Sequence, residues 1–97
     1  MKKEEIMGKC LVPNEKLISW REIDNEIVLL HKKEKAFYEL NKTADFIWKR
    51  AIEKEKVKEI IEAMQKVYRK VNRDILKKDA LDFIDDLFKK KIFIIEK

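Results

Sequence analysis

AFYELNKTADFIW, residues 36–48, joins a strand-like segment to a helical one with no glycine or proline between them. Ala36–Leu40 is short and contains two aromatic residues, a composition typical of a strand. Asn41 is a favourable helix N-cap, because its side-chain oxygen can accept a hydrogen bond from a free N–H of the first turn. An apolar series follows at helical spacing: Ala44, Ile47, Trp48 and Ala51. The stretch therefore predicts an abrupt strand-to-helix junction.

Two further strands are predicted upstream of this junction. Leu17–Ile23 alternates between apolar and polar residues, and Ile27–Lys32 is apolar on both faces over its first four residues. Asp24–Glu26 is a turn signal, because Asp and Asn tolerate the backbone angles of a tight hairpin. Short connections favour antiparallel neighbours. We therefore expect a three-stranded meander whose third strand, Ala36–Leu40, lies at an edge.

Two more helices are predicted downstream. The second has the clearest helical spacing in the chain, and its apolar series consists of Val57, Ile60, Ile61, Met64, Val67, Tyr68 and Val71. The third runs from Ile75 to about Lys90, and its apolar residues cover an arc of about 160° at roughly 100° per residue. This width fits a helix that packs on the core with one flank and lines a groove with another. It fits equally a helix that the core surrounds on two sides.

The fold class predicted is α+β and winged-helix-like, with a three-stranded antiparallel N-terminal sheet followed by three helices. The 97 residues suffice for one domain. Gly8 and Pro13 are the only residues of their types, so residues 1–13 are interpreted as a flexible lead-in and residues 14–97 as the domain. Ile92–Ile95 is expected to close the core as an extended segment.

Composition restricts the function classes. Charged residues make up 44% of the chain and hydrophobic residues 45%, a balance that fits a folded domain. The longest apolar run has four residues, too few for a membrane span. A single cysteine, Cys10, cannot form an internal disulfide, and a reducing cytoplasm is therefore expected.

Little in the sequence points to catalysis. One cysteine and one histidine cannot assemble a zinc site or a Cys/His nucleophile pair, and no phosphate-binding glycine loop is present. His31 is interpreted as a surface residue. Asp79, Asp82, Asp85 and Asp86 are interpreted as a solvated face of the third helix rather than a cation site. We expect no catalytic residue, no metal and no cofactor.

The net charge of +5 raises the possibility of nucleic-acid binding. Three strands and three helices also describe winged-helix DNA-binding proteins, whose third helix enters the major groove. Here that helix carries four aspartates, which would repel phosphate groups. A winged-helix transcriptional regulator is therefore retained only as the alternative function.

The order of the motifs resembles the PqqD family. Leu40–Trp48 is similar to that family's Leu-Asn-x-Ser/Thr-Ala-x-x-Ile/Leu-Trp/Leu junction, and Val28–Leu30 to its preceding strand. A helix of the Val-x-x-Ile-Ile type that ends near Tyr68 comes next, followed by the Asp-x-x-x-Phe-Ile-x-x-Leu pattern of residues 79–87. The resemblance covers about residues 17–95.

The resemblance implies a non-catalytic peptide chaperone of natural product biosynthesis. PqqD-like domains are RiPP recognition elements, which bind the leader segment of a ribosomally synthesised precursor peptide. The leader adds as a strand to the third strand, beside the third helix. The domain then presents it to a modifying enzyme, such as a radical S-adenosylmethionine (radical SAM) protein or a leader peptidase.

The expected peptide-binding residues follow from the resemblance and from the open edge of the third strand, which is a template for strand addition. They are Ala36, Phe37, Tyr38, Glu39 and Leu40 on the strand and Leu76, Asp79, Ala80 and Phe83 on the helix. Asp79 is expected at the rim, facing a basic leader residue. Replacing Tyr38 by proline is expected to abolish binding by removing a ladder donor. An exposed edge also permits strand pairing or domain exchange between copies, so the oligomeric state stays open.

Overall fold

A three-stranded antiparallel sheet lies at the centre of the fold. The computed structural model describes residues 2–96, and its strands β2 (Ile18–Ile23), β3 (Glu26–His31) and β4 (Ala36–Glu39) pair in the order β2-β3-β4. Asp24 and Asn25 form the first hairpin turn with φ values of 51° and 68°, the left-handed conformation that a two-residue hairpin requires. The predicted meander is confirmed, with the predicted third strand, β4, at an edge.

Three helices follow the sheet: α1 (Lys42–Ile52), α2 (Val57–Val67) and α3 (Arg73–Lys89). The predicted α+β class, with a three-stranded sheet followed by helices, is confirmed. α2 ends earlier than its apolar series predicts, because the chain leaves the helix at Tyr68, whose φ and ψ are −101° and 58°. The prediction that Val67 and Val71 lie on the buried face was wrong, since their exposed fractions are 60% and 42%.

Trp48 of α1 forms the centre of the core. Its side chain is fully buried, and its ring stacks on Phe93 with 5.0 Å between the centroids. The ring of Trp20 on β2 meets Trp48 edge to face at 5.7 Å. Such aromatic pairs contribute about 0.5–1.5 kcal/mol each beyond the burial of their surface. Through these contacts, Trp48 connects α1 with the three-stranded sheet and with the C-terminal segment.

Residues 3–13 fold onto this core. They comprise a 3₁₀ helix (Lys3–Gly8) and the strand β1 (Leu11–Pro13), which pairs antiparallel with β5 (Phe93–Ile95). Ile6 and Leu11 have exposed fractions of 0% and 2%. The predicted flexible lead-in thus has regular structure over residues 3–13, because its aliphatic side chains are buried in the core. The division of the chain at residue 13 stays a prediction, and its outer limits, residues 1 and 97, lie outside the described range.

No helix within residues 2–96 is long and apolar enough to cross a membrane.

Replacing Ile6 by alanine should lower the free energy of unfolding by about 2–5 kcal/mol, because it leaves a cavity at a fully buried position. The neighbouring exposed substitution Glu5→Ala should change it by no more than about 0.5 kcal/mol. Urea denaturation of both variants and the parent measures the two values. Equal effects of the two substitutions would show that the N-terminal segment does not pack on the core.

Candidate functional site

Two neighbouring cavities lie between β4 and α3. Their volumes are about 410 Å³ and 450 Å³, and both are lined by Glu39, Leu40 and Phe83. We call their union the β4–α3 groove. Tyr38, Glu39 and Leu40 line it at and just beyond β4, and Lys90 lines it just beyond α3. The residues of α3 that line it are Leu76, Asp79, Ala80, Phe83, Asp86 and Leu87.

The junction after β4 is held against β3. Leu40 N–H donates to Ile27 O at 3.2 Å, and Asn41 Oδ1 accepts from Ala44 N–H at 2.9 Å as the N-cap of α1. Asp45 Oδ1 accepts from Ile27 N–H at 3.0 Å, so the first turn of α1 is also bonded to the sheet. These three bonds determine where the strand ends and in which direction the helix leaves it.

The open edge of β4 presents the backbone groups of Phe37 and Glu39. In an antiparallel pair, successive residues direct their N–H and C=O groups alternately toward and away from the partner strand. Leu40 is bonded to Ile27 and Tyr38 lies opposite Leu29, so both face β3. Phe37 and Glu39 therefore face outward. The expectation that Tyr38 supplies the free ladder donor was wrong. Its N–H group faces β3, whereas the N–H groups of the residues on either side of it face the open edge.

The side chains of β4 divide between the two faces of the sheet. Tyr38 lies opposite the buried Leu29 and lines the groove, where its hydroxyl lies 3.4 Å from Glu34 Oε1. Phe37 lies opposite Leu30 on the other face, and 72% of it is exposed. Ala36 is half-buried opposite His31. Of the five predicted strand residues, Tyr38, Glu39 and Leu40 line the groove, whereas Ala36 and Phe37 do not.

All four residues predicted on the third helix come together in the first cavity. Leu76 and Ala80 form part of its floor with exposed fractions of 6% and 3%, while Phe83 is half-buried and Asp79 is exposed. Residues on the other flank of α3, such as Leu81 and Ile84, are buried in the core. The wide apolar arc of this helix thus serves both the core and the groove.

The second cavity contains residues that the sequence analysis did not assign to the site: His31, Glu34, Asp86, Leu87 and Lys90. The interpretation of His31 as a surface residue was wrong, since only 9% of it is exposed. It follows Ile27 and Leu29 on the core-facing side of β3, and its Nδ1 accepts from Glu34 N–H at 3.1 Å. The alternation along β3 was the signal that could have located it.

The rim of the groove is acidic, although the whole chain is basic. Three carboxylates line it, those of Glu34, Asp79 and Asp86. Lys90 lies 3.0 Å from Asp86, whose carboxylate accepts its hydrogen bond and raises the pKa of the lysine. Asp79 forms no ion pair within residues 2–96, so its carboxylate is available to a positively charged ligand. Glu39 also lines the groove, but its side chain follows the alternation of β4 onto the face of Phe37.

The four aspartates that were predicted to form a solvated face of α3 have different environments. Asp85 is 4% exposed and pairs with Lys89 at 3.0 Å, so the expectation of a uniformly solvated face was wrong at this position. Asp82 is bonded to Lys3 and Lys78, which hold the pKa of its carboxyl below the usual value. No group of three or more His, Cys, Asp or Glu side chains in the described part of the chain is arranged to hold a metal ion.

The comparison with protein families decides what this chain is. The model for "Coenzyme PQQ synthesis protein D (PqqD)" matches residues 26–92, which is more than half of the sequence and includes β3, β4 and all three helices. The chain belongs to the PqqD family. The resemblance inferred from the Leu40–Trp48 junction is confirmed. A search of curated proteins gave no significant match.

Two solved structures are similar to this PqqD-family chain. One is described as "TbiB1 in Complex with the TbiA(beta) Leader Peptide"; it is 27% identical with a TM-score of 0.74, covering 84% of this chain and 93% of that one. The other, "Lasso peptide synthetase B1 complexed with the leader peptide", is 21% identical with a TM-score of 0.68, covering 87% and 94%. The second likeness concerns the fold alone.

Amide hydrogen exchange should distinguish the bonded from the free N–H groups of residues 37–40 in this PqqD-family protein. We expect the N–H groups of Tyr38 and Leu40 to be protected, because they are bonded to β3. Those of Phe37 and Glu39 should exchange far faster, because they face the open edge. Residue-resolved NMR exchange measures all four in one experiment. Protection of Phe37 and Glu39 with rapid exchange of Tyr38 would mean that the register of β4 is shifted by one residue.

Proposed function

We propose that this protein is a non-catalytic module that binds the leader segment of a ribosomally synthesised precursor peptide and presents it to a modifying enzyme. The observation that carries the proposal is the open edge of β4 beside the β4–α3 groove. Membership of the PqqD family supports it, as does the similarity to a structure described as a leader-peptide complex.

Strand addition is the binding mode that this geometry favours. An extended peptide that pairs with β4 would exchange hydrogen bonds with the outward backbone groups of Phe37 and Glu39. Backbone bonds provide affinity in this mode, and pockets for alternate side chains provide specificity. Every second side chain of the peptide would point toward α3, since successive strand residues face opposite sides. Those side chains meet Leu40 and Phe83 at the centre of the groove.

The charge of the rim favours a leader with basic residues. Asp79 lines the first cavity, and it has no cationic partner in the described residues. A lysine or arginine of the bound peptide would complement it. The apolar residues Leu76 and Ala80, which line the same cavity, would accept an aliphatic side chain.

The proposed role needs no cofactor and no catalytic residue in this chain. The chemistry belongs to the partner, for which a radical SAM protein or a leader peptidase is proposed from the family resemblance. DNA binding, the alternative, receives no support from the comparisons. The exposed carboxylates Asp74, Asp79 and Asp86 along α3 would also repel a phosphate backbone.

Replacing Phe37 by proline should abolish leader binding or weaken it by at least about tenfold, equivalent to about 1.4 kcal/mol. The reason is that proline lacks the backbone N–H that Phe37 offers at the open edge of β4. An edge strand tolerates proline where its N–H faces solvent. Phe37→Ala is the matched control: it keeps the N–H and removes only a side chain on the opposite face, so binding should persist. Calorimetric titration with the synthetic leader encoded beside the gene measures both.

Circular dichroism of each variant establishes that the fold is retained. If a folded Phe37→Pro protein binds as the parent does, strand addition to β4 is wrong. If the parent does not bind the neighbouring leader at all, the proposed function itself fails.

Asp79→Asn should weaken binding of a leader that carries a basic residue by about two- to fivefold at low salt, the range for an exposed ion pair. Asp82→Asn is the control, because Asp82 lies outside the groove lining and is bonded to Lys3 and Lys78. Titrations at low and high salt should show the Asp79 effect fading as screening increases. An equal loss in both variants would exclude a specific contact at Asp79.

A further inference from the structure

An exposed apolar cluster lies where α2 ends and α3 begins. Val67, Val71 and Ile75 have exposed fractions of 60%, 42% and 56%. Val67 is the last residue of α2, Val71 lies in the turn and Ile75 is the third residue of α3, so the three lie within nine residues of the chain. Tyr68 anchors this turn, since its ring packs edge to face on Phe46 of α1 at 6.2 Å.

Four cations accompany these apolar residues. Residues 66–73, KVYRKVNR, contain Lys66, Arg69, Lys70 and Arg73 and no carboxylate. Arg69 donates to the backbone O of Lys66 at 3.1 Å, and Arg73 donates to Gln65 Oε1 at 3.2 Å. Within the described residues, none of the four forms an ion pair. We call the three apolar residues with these four cations the α2–α3 patch.

We propose that the α2–α3 patch is a docking surface for an acidic protein surface that carries an apolar anchor, and that this surface belongs to the modifying enzyme. The partner's identity rests on the proposed function. An apolar centre with a charged rim is the usual anatomy of a protein–protein interface. Four unpaired cations would attract an acidic partner and select its orientation.

The patch also adjoins the groove. Met64, Leu76 and Asp79 line the first cavity. Val67 follows Met64 by three residues on α2, which is about one helical turn. Ile75 directly precedes Leu76 on α3 and lies about one turn before Asp79. A partner bound at the patch would therefore lie near that end of the groove at which α3 begins. A leader held in the groove would emerge toward that partner.

A nucleic acid fits the patch less well. Phosphate groups would pair with the four cations, but they offer nothing to the three exposed aliphatic side chains at the centre. Asp74, the second residue of α3, lies directly beside Arg73 of the patch and would repel a phosphate group there. The combination of apolar and basic residues thus favours a protein surface.

NMR titration of the full chain tests the chemistry of the patch with defined probes. The first is a synthetic amphipathic peptide with leucines at helical spacing and glutamates elsewhere, and its control has every leucine replaced by serine. Short duplex DNA and vesicles of phosphatidylcholine with phosphatidylglycerol are the competing probes. We expect saturable shifts at Val67, Val71 and Ile75 with the leucine peptide and at least about tenfold weaker binding of the control. Equal binding of both peptides, or tighter binding of DNA or vesicles, would overturn the proposal.

Charge-reversal variants test the partner. Lys66→Glu combined with Lys70→Glu should weaken binding of the purified enzyme encoded beside the gene by about tenfold or more. Lys58→Glu, an exposed α2 residue outside the patch, and Ile23→Ser, an exposed apolar residue on β2, are the controls and should bind as the parent does. Val67→Ser should resemble the double charge reversal. If the patch variants bind the enzyme like the parent, the proposal is wrong.

Leader titration keeps this result separate from the proposed function. Patch variants should bind the leader with the affinity of the parent, and Phe37→Pro should lose the leader while retaining the patch shifts with the leucine peptide. Loss of leader binding in the patch variants would place the patch within the leader site and overturn a separate docking surface. Failure of the parent to bind the leader would instead contradict the proposed function.

Discussion

The packing around Trp48 is the interaction on which the rest of the structure depends. This fully buried ring contacts Trp20 of β2 and Phe93 of β5, and it lies on the helix that begins directly after β4. The first strand of the meander, the helix and the C-terminal strand are thus oriented by one side chain. Because the helix is fixed in this way, the end of β4 that leads into it is fixed too.

The open edge of β4 follows from how the junction is held. Leu40 and Asp45 are both bonded to Ile27, so β4 is attached to β3 along one side and the chain then turns away into α1. No strand in the described part of the chain pairs with the other side. α3 lies across the gap with apolar residues toward it, which leaves a groove between a free edge and a helix. A peptide-binding function is compatible with this arrangement because no strand within residues 2–96 pairs with that edge.

Much of the fold was predictable because its signals are local. The turn at Asp24 and Asn25, the cap at Asn41 and the spacing of Ile47, Trp48 and Ala51 each depend on nearby residues only, and each is as predicted. The burial of Ile6 and Asp85 was not predictable in this way. It depends on contacts with elements far away in the chain, and no local pattern reports such contacts. The burial of His31 does follow a local pattern, the alternation along β3. On α3, the width of the apolar arc fitted a groove and a two-sided core equally, and it did not specify which flank would line a groove.

By itself, the sequence determined the order of strands and helices, the junction at Asn41 and membership of the PqqD family, because these depend on residue types at short spacing. Only the tertiary structure decided which backbone groups of β4 are free. Which groups are free depends on the register of β4 against β3. If that register were shifted by one residue, the backbone groups of Tyr38 would face the open edge and those of Phe37 and Glu39 would face β3. The tertiary structure also decided that Val67, Val71 and Ile75 are exposed, because exposure depends on how α2, the following turn and α3 pack on the core and not on residue type.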